Sequence, residues 1–107
     1  MAATPLSNSE LKVETETTPD EILVRCLGKM TITSAAALQT AIRELIPQTK
    51  RLVLDLGGVS YLDSFGLGAL VGVYLSARGQ QCQLRLINGS PQVKDLLRIT
   101  NLASVLQ

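Results

Sequence analysis

The 107-residue chain contains no histidine and no tryptophan, and its only aromatic side chains are Tyr61, Phe65 and Tyr74. Without an imidazole the chain cannot form a Ser-His-acid triad, a Cys-His dyad or the usual zinc sites, which excludes most hydrolase mechanisms. Ten basic and nine acidic residues leave a formal charge of +1. With few aromatic residues and a basic excess of only one, the chain is not expected to bind nucleic acid. No metal and no cofactor are expected either.

Cysteines and long apolar segments are also scarce. Cys26 and Cys82 each lie in an apolar alternating stretch, which predicts two reduced, buried thiols and fits a cytoplasmic location. The first ten residues lack the basic and apolar regions of a secretory signal. The most apolar stretch, 65–77, is interrupted by glycines and is shorter than the roughly 20 residues that span a bilayer. We therefore expect a soluble, cytoplasmic protein without membrane insertion.

The length and the 46% of hydrophobic residues indicate a single globular domain. Residues 1–9 carry no periodic pattern and are expected to form a flexible N-terminal arm, so the folded domain should span 10–107. Within it, alternating apolar residues and turn signals predict four strands. These strands cover residues 11–16, 21–27, 51–56 and 83–87. Gly28 is expected to end the second strand, and Gly57 with Gly58 the third.

Three segments have the periodicity and the end signals of helices. They cover residues 34–46, 64–77 and 91–99. The middle helix is apolar around most of its circumference, so it should be heavily buried. Strand and helix alternate after residue 20, which predicts parallel pairing, with the first strand added antiparallel at an edge. The expected fold is therefore α/β, with a mixed, mostly parallel sheet of about four to five strands packed by three to four helices.

The segment 62–70 connects a buried strand to the middle helix, which is where ligands gather in open α/β sheets. Asp63 and Ser64 offer a side-chain cap, and the helix N-terminus favours a negative charge such as a phosphate on Ser64. Gly66 and Gly68 lie in the first turns, where glycine costs about 1 kcal/mol relative to alanine. Another element or a partner should therefore approach that backbone closely. From the residues alone, capping and packing remain the simpler interpretations.

Residues 59–68 resemble the phosphorylation motif of the STAS family (sulfate transporter and anti-sigma factor antagonist), specifically its stand-alone bacterial anti-sigma factor antagonists. Other segments resemble that family in the same order and spacing, over about residues 10–106. These segments are 27–31 at the exit of the second strand, 52–56 in the central strand, and 90–97 and 99–102 around the last helix. A single STAS domain is therefore expected for 10–107.

The resemblance implies a switch between partners. The unphosphorylated protein would bind an anti-sigma factor that is also a serine kinase with a histidine-kinase-like ATPase fold, and so release the sigma factor. Phosphorylation of Ser64, the residue after the motif Asp63, would break that complex, and a PP2C-type phosphatase is a further expected partner. The expected partner-binding residues are Asp63, Ser64, Phe65, Gly66, Leu67, Thr31 and Thr33.

Two positions depart from the family pattern. Phe65 follows the phosphoacceptor where Ser or Thr is usual, and it either packs against the core or presents an aromatic anchor to a partner. Thr31 stands where the family tends to carry Asp, so one negative charge near Ser64 is missing. Both departures favour an alternative, a constitutive STAS adaptor in a larger signalling or transporter assembly without Ser64 phosphorylation. An enzyme is not expected, because only Asp63 with Ser64, or Asp55, could supply an acid, base or nucleophile.

Overall fold

The computed structural model describes residues 10–99, which form one sheet covered by helices. The elements are β1 (Leu11–Thr17), β2 (Ile22–Met30), α1 (Ile32–Leu45), β3 (Arg51–Leu62), α2 (Ser64–Gly79), β4 (Gln83–Ile87) and α3 (Pro91–Ile99), with a short 3-10 turn at Ile46–Gln48. The sheet order is β1-β2-β3-β4, with β1 antiparallel to β2 and the other pairs parallel. The predicted α/β fold is confirmed, including the antiparallel edge strand. The predicted arm at 1–9 lies outside the described residues.

Successive side chains of β2 point to opposite faces of the sheet, one of them buried and the other open. Ile22, Val24, Cys26 and Met30 are buried among core residues from α1 and α2, whereas Leu27 and its alternating neighbours lie on the open face. Cys26 and Cys82 are both buried and unbonded, as the sequence predicts. None of the helices within residues 10–99 is both long and apolar enough to cross a membrane.

The predicted ends of β2 and β3 are wrong. The glycines at these positions do not stop the strands, and instead they permit close contacts with neighbouring segments of the chain. Gly28 has a φ of +118°, and a Cβ on it would lie 2.1 Å from the Glu10 carbonyl oxygen. A Cβ on Gly58 would lie 2.5 Å from a Leu27 methyl carbon. The β2–β3 register shifts twice in this stretch, so β3 passes its glycines as a bulged strand and runs on to Leu62.

The helix boundaries differ from the predicted ones by a few residues. α1 begins at Ile32 because Thr31 caps it, and Ile46 belongs to the 3-10 turn that follows. α2 continues to Gly79, and Ser90 caps α3 by accepting a hydrogen bond from the Val93 N–H at 3.2 Å, as predicted. α2 is not buried all round, since Leu75 is 59% exposed, so the expectation of heavy burial is wrong for one face.

Candidate partner-binding site

The carboxyl ends of β2 and β3 bring two helix N-termini together at one end of the sheet. Met30 pairs with Leu62 at the ends of these parallel strands, and the Asp63 N–H donates to the Met30 carbonyl at 3.1 Å. α1 begins after Thr31 and α2 begins after Asp63. The segments that the sequence analysis singled out, Thr31 with Thr33 and 63–67, are therefore neighbours in space although they are about thirty residues apart in the chain.

Asp63 caps α2 through one carboxylate oxygen. Its Oδ1 accepts hydrogen bonds from the N–H groups of Phe65 and Gly66, both at 2.9 Å, with the backbone extended at φ −103°. This confirms the predicted cap. Ser64, the first residue of the helix, is exposed. Phe65 was expected either to pack against the core or to be presented to a partner. It is 55% exposed, so its side chain faces solvent and not the core.

The two glycines near the start of α2 have different surroundings. A Cβ on Gly66 would lie 2.3 Å from the Met30 carbonyl oxygen, so the predicted close approach is confirmed there. A Cβ on Gly68 would meet nothing within 4 Å, so no other element of the chain approaches it, and of the two predicted possibilities a partner is the one left for Gly68. Gly66 is buried, and Leu67 is partly buried against the core. Of the predicted residues in α2, Ser64 and Phe65 are the exposed ones.

A cluster of hydroxyls surrounds the start of α1. Thr31 accepts from the Thr33 N–H, and its own N–H donates to the Ser34 hydroxyl at 2.9 Å, which forms a capping box. Thr33 is the second residue of α1 and does not precede the helix as expected. Ser34 is fully buried and donates to the Lys29 carbonyl at 2.9 Å. These contacts fix the backbone on which Thr31 and Thr33 are presented.

Glu10 is part of this cluster, and sequence reasoning did not single it out as a site residue. Its Oε2 accepts from the Thr31 hydroxyl at 2.6 Å and from the Thr33 hydroxyl. Hydrogen bonds from Thr31 and then from Thr33 hold the pKa of this carboxyl below its ordinary value. The Glu10 carboxylate therefore places a negative charge beside Thr31. Sequence reasoning missed Glu10 because its contact with Thr31 depends on the register of the β1–β2 pair, which opposes Leu11 to Gly28 and which no local pattern reveals.

Apolar side chains lie beside these polar groups. Ile32, the first residue of α1, is 60% exposed, and Tyr61 near the end of β3 is also exposed. Together with Phe65 they give this end of the sheet three large exposed apolar groups next to the carboxylates of Glu10 and Asp63. A group of exposed apolar side chains with polar groups at its edge is typical of a protein-binding surface.

Comparison with known proteins gives the family. The family model described as STAS domain matches residues 12–107. The anti-sigma-B factor antagonist of Bacillus subtilis (strain 168) is 31% identical over 96 residues, which is 90% of this chain and 88% of that protein. The anti-sigma factor antagonist SpoIIAA in its unphosphorylated form has a TM-score of 0.76 at 19% identity, covering 89% of this chain and 85% of that one. The Bacillus cell fate determinant SpoIIAA in its phosphorylated form has a TM-score of 0.74 at 18% identity, covering 89% and 88%. The chain belongs to the STAS domain family.

Proposed function

We propose that this protein is an anti-sigma factor antagonist that binds its target through the surface around Ser64 and loses that binding when Ser64 is phosphorylated. The proposed docking surface consists of Thr31, Ile32, Thr33, Asp63, Ser64 and Phe65, supported from below by Gly66 and Leu67. The protein acts by binding and contributes no catalytic group of its own.

The relatives support the general role. The Bacillus subtilis protein, similar over most of both chains, is named an anti-sigma-B factor antagonist. SpoIIAA shares the fold and has both an unphosphorylated and a phosphorylated form. Because those two structures are under 25% identical to this chain, they supply the fold alone, and the choice of Ser64 depends on the local geometry.

The exposure of Ser64 next to a capped helix start carries the proposal. The N–H groups of Phe65 and Gly66 are already bonded to Asp63, so a phosphate on Ser64 would meet a carboxylate where it could otherwise find free donors. The phosphate would add about 1.5 to 2 negative charges beside Asp63. A charge of this size is strongly hydrated, and the free energy needed to remove its water opposes burial against a partner. Phosphorylation would therefore weaken docking without unfolding the domain.

The apolar groups supply the attractive part of the same surface. Docking would remove water from Phe65 and Ile32, and such exposed anchors give most of the affinity of protein interfaces. A hydrated phosphate one residue from Phe65 would keep water at the centre of that contact. The apolar anchors and the switch residue are thus close enough for one to control the other.

Two finer assignments belong to the same proposal. The target is an anti-sigma factor that is itself a serine kinase with a histidine-kinase-like ATPase fold, so the complex is also the enzyme–substrate pair for Ser64. A PP2C-type phosphatase returns the protein to its binding form. This arrangement makes complex lifetime dependent on ATP, which gives the proposal a direct test.

The test is affinity capture from the native lysate with four baits: wild type, Ser64→Ala, Ser64→Asp and Thr40→Asp. Thr40 is exposed on α1 away from the helix N-termini, so Thr40→Asp is the matched control for an added charge. We expect an anti-sigma factor kinase on wild type, Ser64→Ala and Thr40→Asp, and its loss from Ser64→Asp. Mass spectrometry of the wild-type protein should locate phosphate on Ser64.

A second step separates a switch from a constitutive complex. Adding ATP to the captured complexes should release the kinase from wild type and leave it bound to Ser64→Ala. Equal capture by all four baits, with no phosphate on Ser64, would instead establish the constitutive adaptor and reject the proposal.

A further inference from the structure

One face of α2 is apolar and exposed to solvent. Ser64, Gly68, Val71 and Leu75 occupy it, of which Val71 is half-buried and the others are exposed, and residues 64–77 contain no charged side chain. Ser64, Gly68, Val71 and Leu75 follow at spacings of four, three and four, which places them along one side of the helix. This side extends about 16 Å from Ser64 to Leu75 at 1.5 Å per residue. A helix that is apolar all round is normally buried on every side.

The two ends of this face carry opposite charges. Asp63 precedes the helix, and its Oδ2 accepts no hydrogen bond from another residue within 10–99. Asp63 and Lys29 both lie near Glu10, since Lys29 tends to lower and Asp63 to raise the pKa of the Glu10 carboxyl. At the other end Arg78 is exposed in the last turn and pairs with no carboxylate among the described residues. The face is therefore negative at its start, neutral along its length and positive at its end.

We propose that this face binds the same face of a second copy of the chain, with the two α2 helices antiparallel. An antiparallel arrangement places the Arg78 end of each helix against the Asp63 end of the other. The charges of one copy thus complement those of the other through a two-fold axis, as a symmetric homodimer requires. In an antiparallel pair, the positive end of each helix macrodipole also lies beside the negative end of the other, which is favourable.

The shape of the face is complementary in the same arrangement. When Leu75 lies opposite Gly68 of the second copy, Ser64 lies opposite its Gly79. Asp63 is then displaced by two residues, about 3 Å along the helix axis, from Arg78 of that copy, within reach of the long arginine side chain. A Cβ on Gly68 or on Gly79 would meet nothing within 4 Å, so both positions leave open space on the surface. Leu75 enters the space left by Gly68, twice per dimer.

The dimer is weak and its formation depends on concentration. A single pair of helices of this length buries less than the about 800 Å² per partner of a standard interface. Dimerisation covers Ser64, so it competes with kinase docking. This last consequence depends on the function proposed above, whereas the dimer itself does not.

The experiment is sedimentation velocity of the purified full chain over a concentration series that reaches the millimolar range. We expect reversible self-association that weakens with added salt, because the end contacts are exposed ion pairs. Leu75→Glu should reduce the association constant by about tenfold or more. Gly68→Leu should do the same while leaving the fold intact, since it closes the space without touching the monomer core. Leu27→Glu is the matched control, because Leu27 lies on the open face of the sheet opposite Lys12 and should not affect association.

A wild-type protein that remains monomeric at every concentration overturns the proposal, and so does a dimer that Leu75→Glu and Leu27→Glu affect equally. Association lost in Leu75→Glu and Gly68→Leu but kept in Leu27→Glu supports it. The measurement uses no anti-sigma factor, so its result is independent of whether the proposed function holds.

Discussion

The Glu10 carboxylate connects the start of β1 to the start of α1. Thr31 and Thr33 donate to it, although they are more than twenty residues away in the chain. Hydrogen bonds to an ionised carboxylate stabilise its charged form, which explains why the pKa of Glu10 lies below its ordinary value. The same contacts favour the folded state only while Glu10 is ionised.

This linkage predicts a pH-dependent stability. The folded pKa is lowered, so the stabilising contribution is fully present above the unfolded value of 4.5 and is lost as the pH falls through the folded pKa. Glu10→Gln should therefore be less stable than wild type at about pH 7, and the difference should shrink towards about pH 3. Denaturant unfolding at both pH values measures it. Glu44→Gln, on the exposed side of α1, is the control, and a Glu10→Gln deficit that does not change with pH would contradict the linkage.

Two of the glycines in α2, Gly66 and Gly68, have opposite roles. Gly66 permits the Met30 carbonyl to approach the helix, which holds the start of α2 against the end of β2. Gly68 has no such neighbour and leaves the helix with the entropic cost of glycine. The first glycine thus positions the Ser64 segment, and the second shapes its exposed face.

Replacing each glycine by alanine should therefore change stability in opposite directions. Gly66→Ala forces a methyl group against backbone, and we expect a loss of about 1 to 3 kcal/mol, the usual cost of overpacking. Gly68→Ala should raise the free energy of unfolding by up to about 1 kcal/mol, because alanine is the better helix former. Thermal and denaturant unfolding of both variants measure these values. A change of the same sign in both would show that the local environments do not decide the outcome.

At the scale of the whole molecule, the two cysteines report on global unfolding. Burial, and to a smaller extent Asp55, raises the pKa of Cys26 to about 12, and burial also raises the pKa of Cys82. Both side chains belong to the same apolar core. Because the thiolate is the reactive form, neither should react with thiol reagents in the folded protein at neutral pH.

We therefore expect both thiols to be labelled slowly, at rates set by unfolding. Leu54→Ala, in the centre of the core, should cost about 2 to 5 kcal/mol and accelerate the labelling of both cysteines together. Leu75→Ala, at an exposed position, should leave the rates unchanged. Labelling followed by peptide mass spectrometry distinguishes the two thiols. Fast labelling of Cys82 alone would indicate local opening beside β4 and would contradict a single cooperative core.

Local patterns in the sequence determined the elements and their order. Alternating apolar residues specify β1 to β4, and a side-chain cap with an apolar periodic stretch specifies α2, since both signals depend on neighbours within a few positions. The motif around Ser64 was recognisable for the same reason. The capping role of Asp63 could likewise be predicted, because a cap bonds the N–H groups that follow it directly.

Only the tertiary structure decided features that depend on residues distant in the chain. β3 continues through Gly57 and Gly58 because β2 lies close beside it, and no local signal reveals that neighbour. Phe65 faces solvent because the packing of α2 on the sheet buries another side of this helix, which includes Ala69 and Leu70. Glu10 reaches Thr31 because β1 pairs with β2 in one register. The sequence specified which residues could bind or switch, and long-range packing decided which of them share a surface.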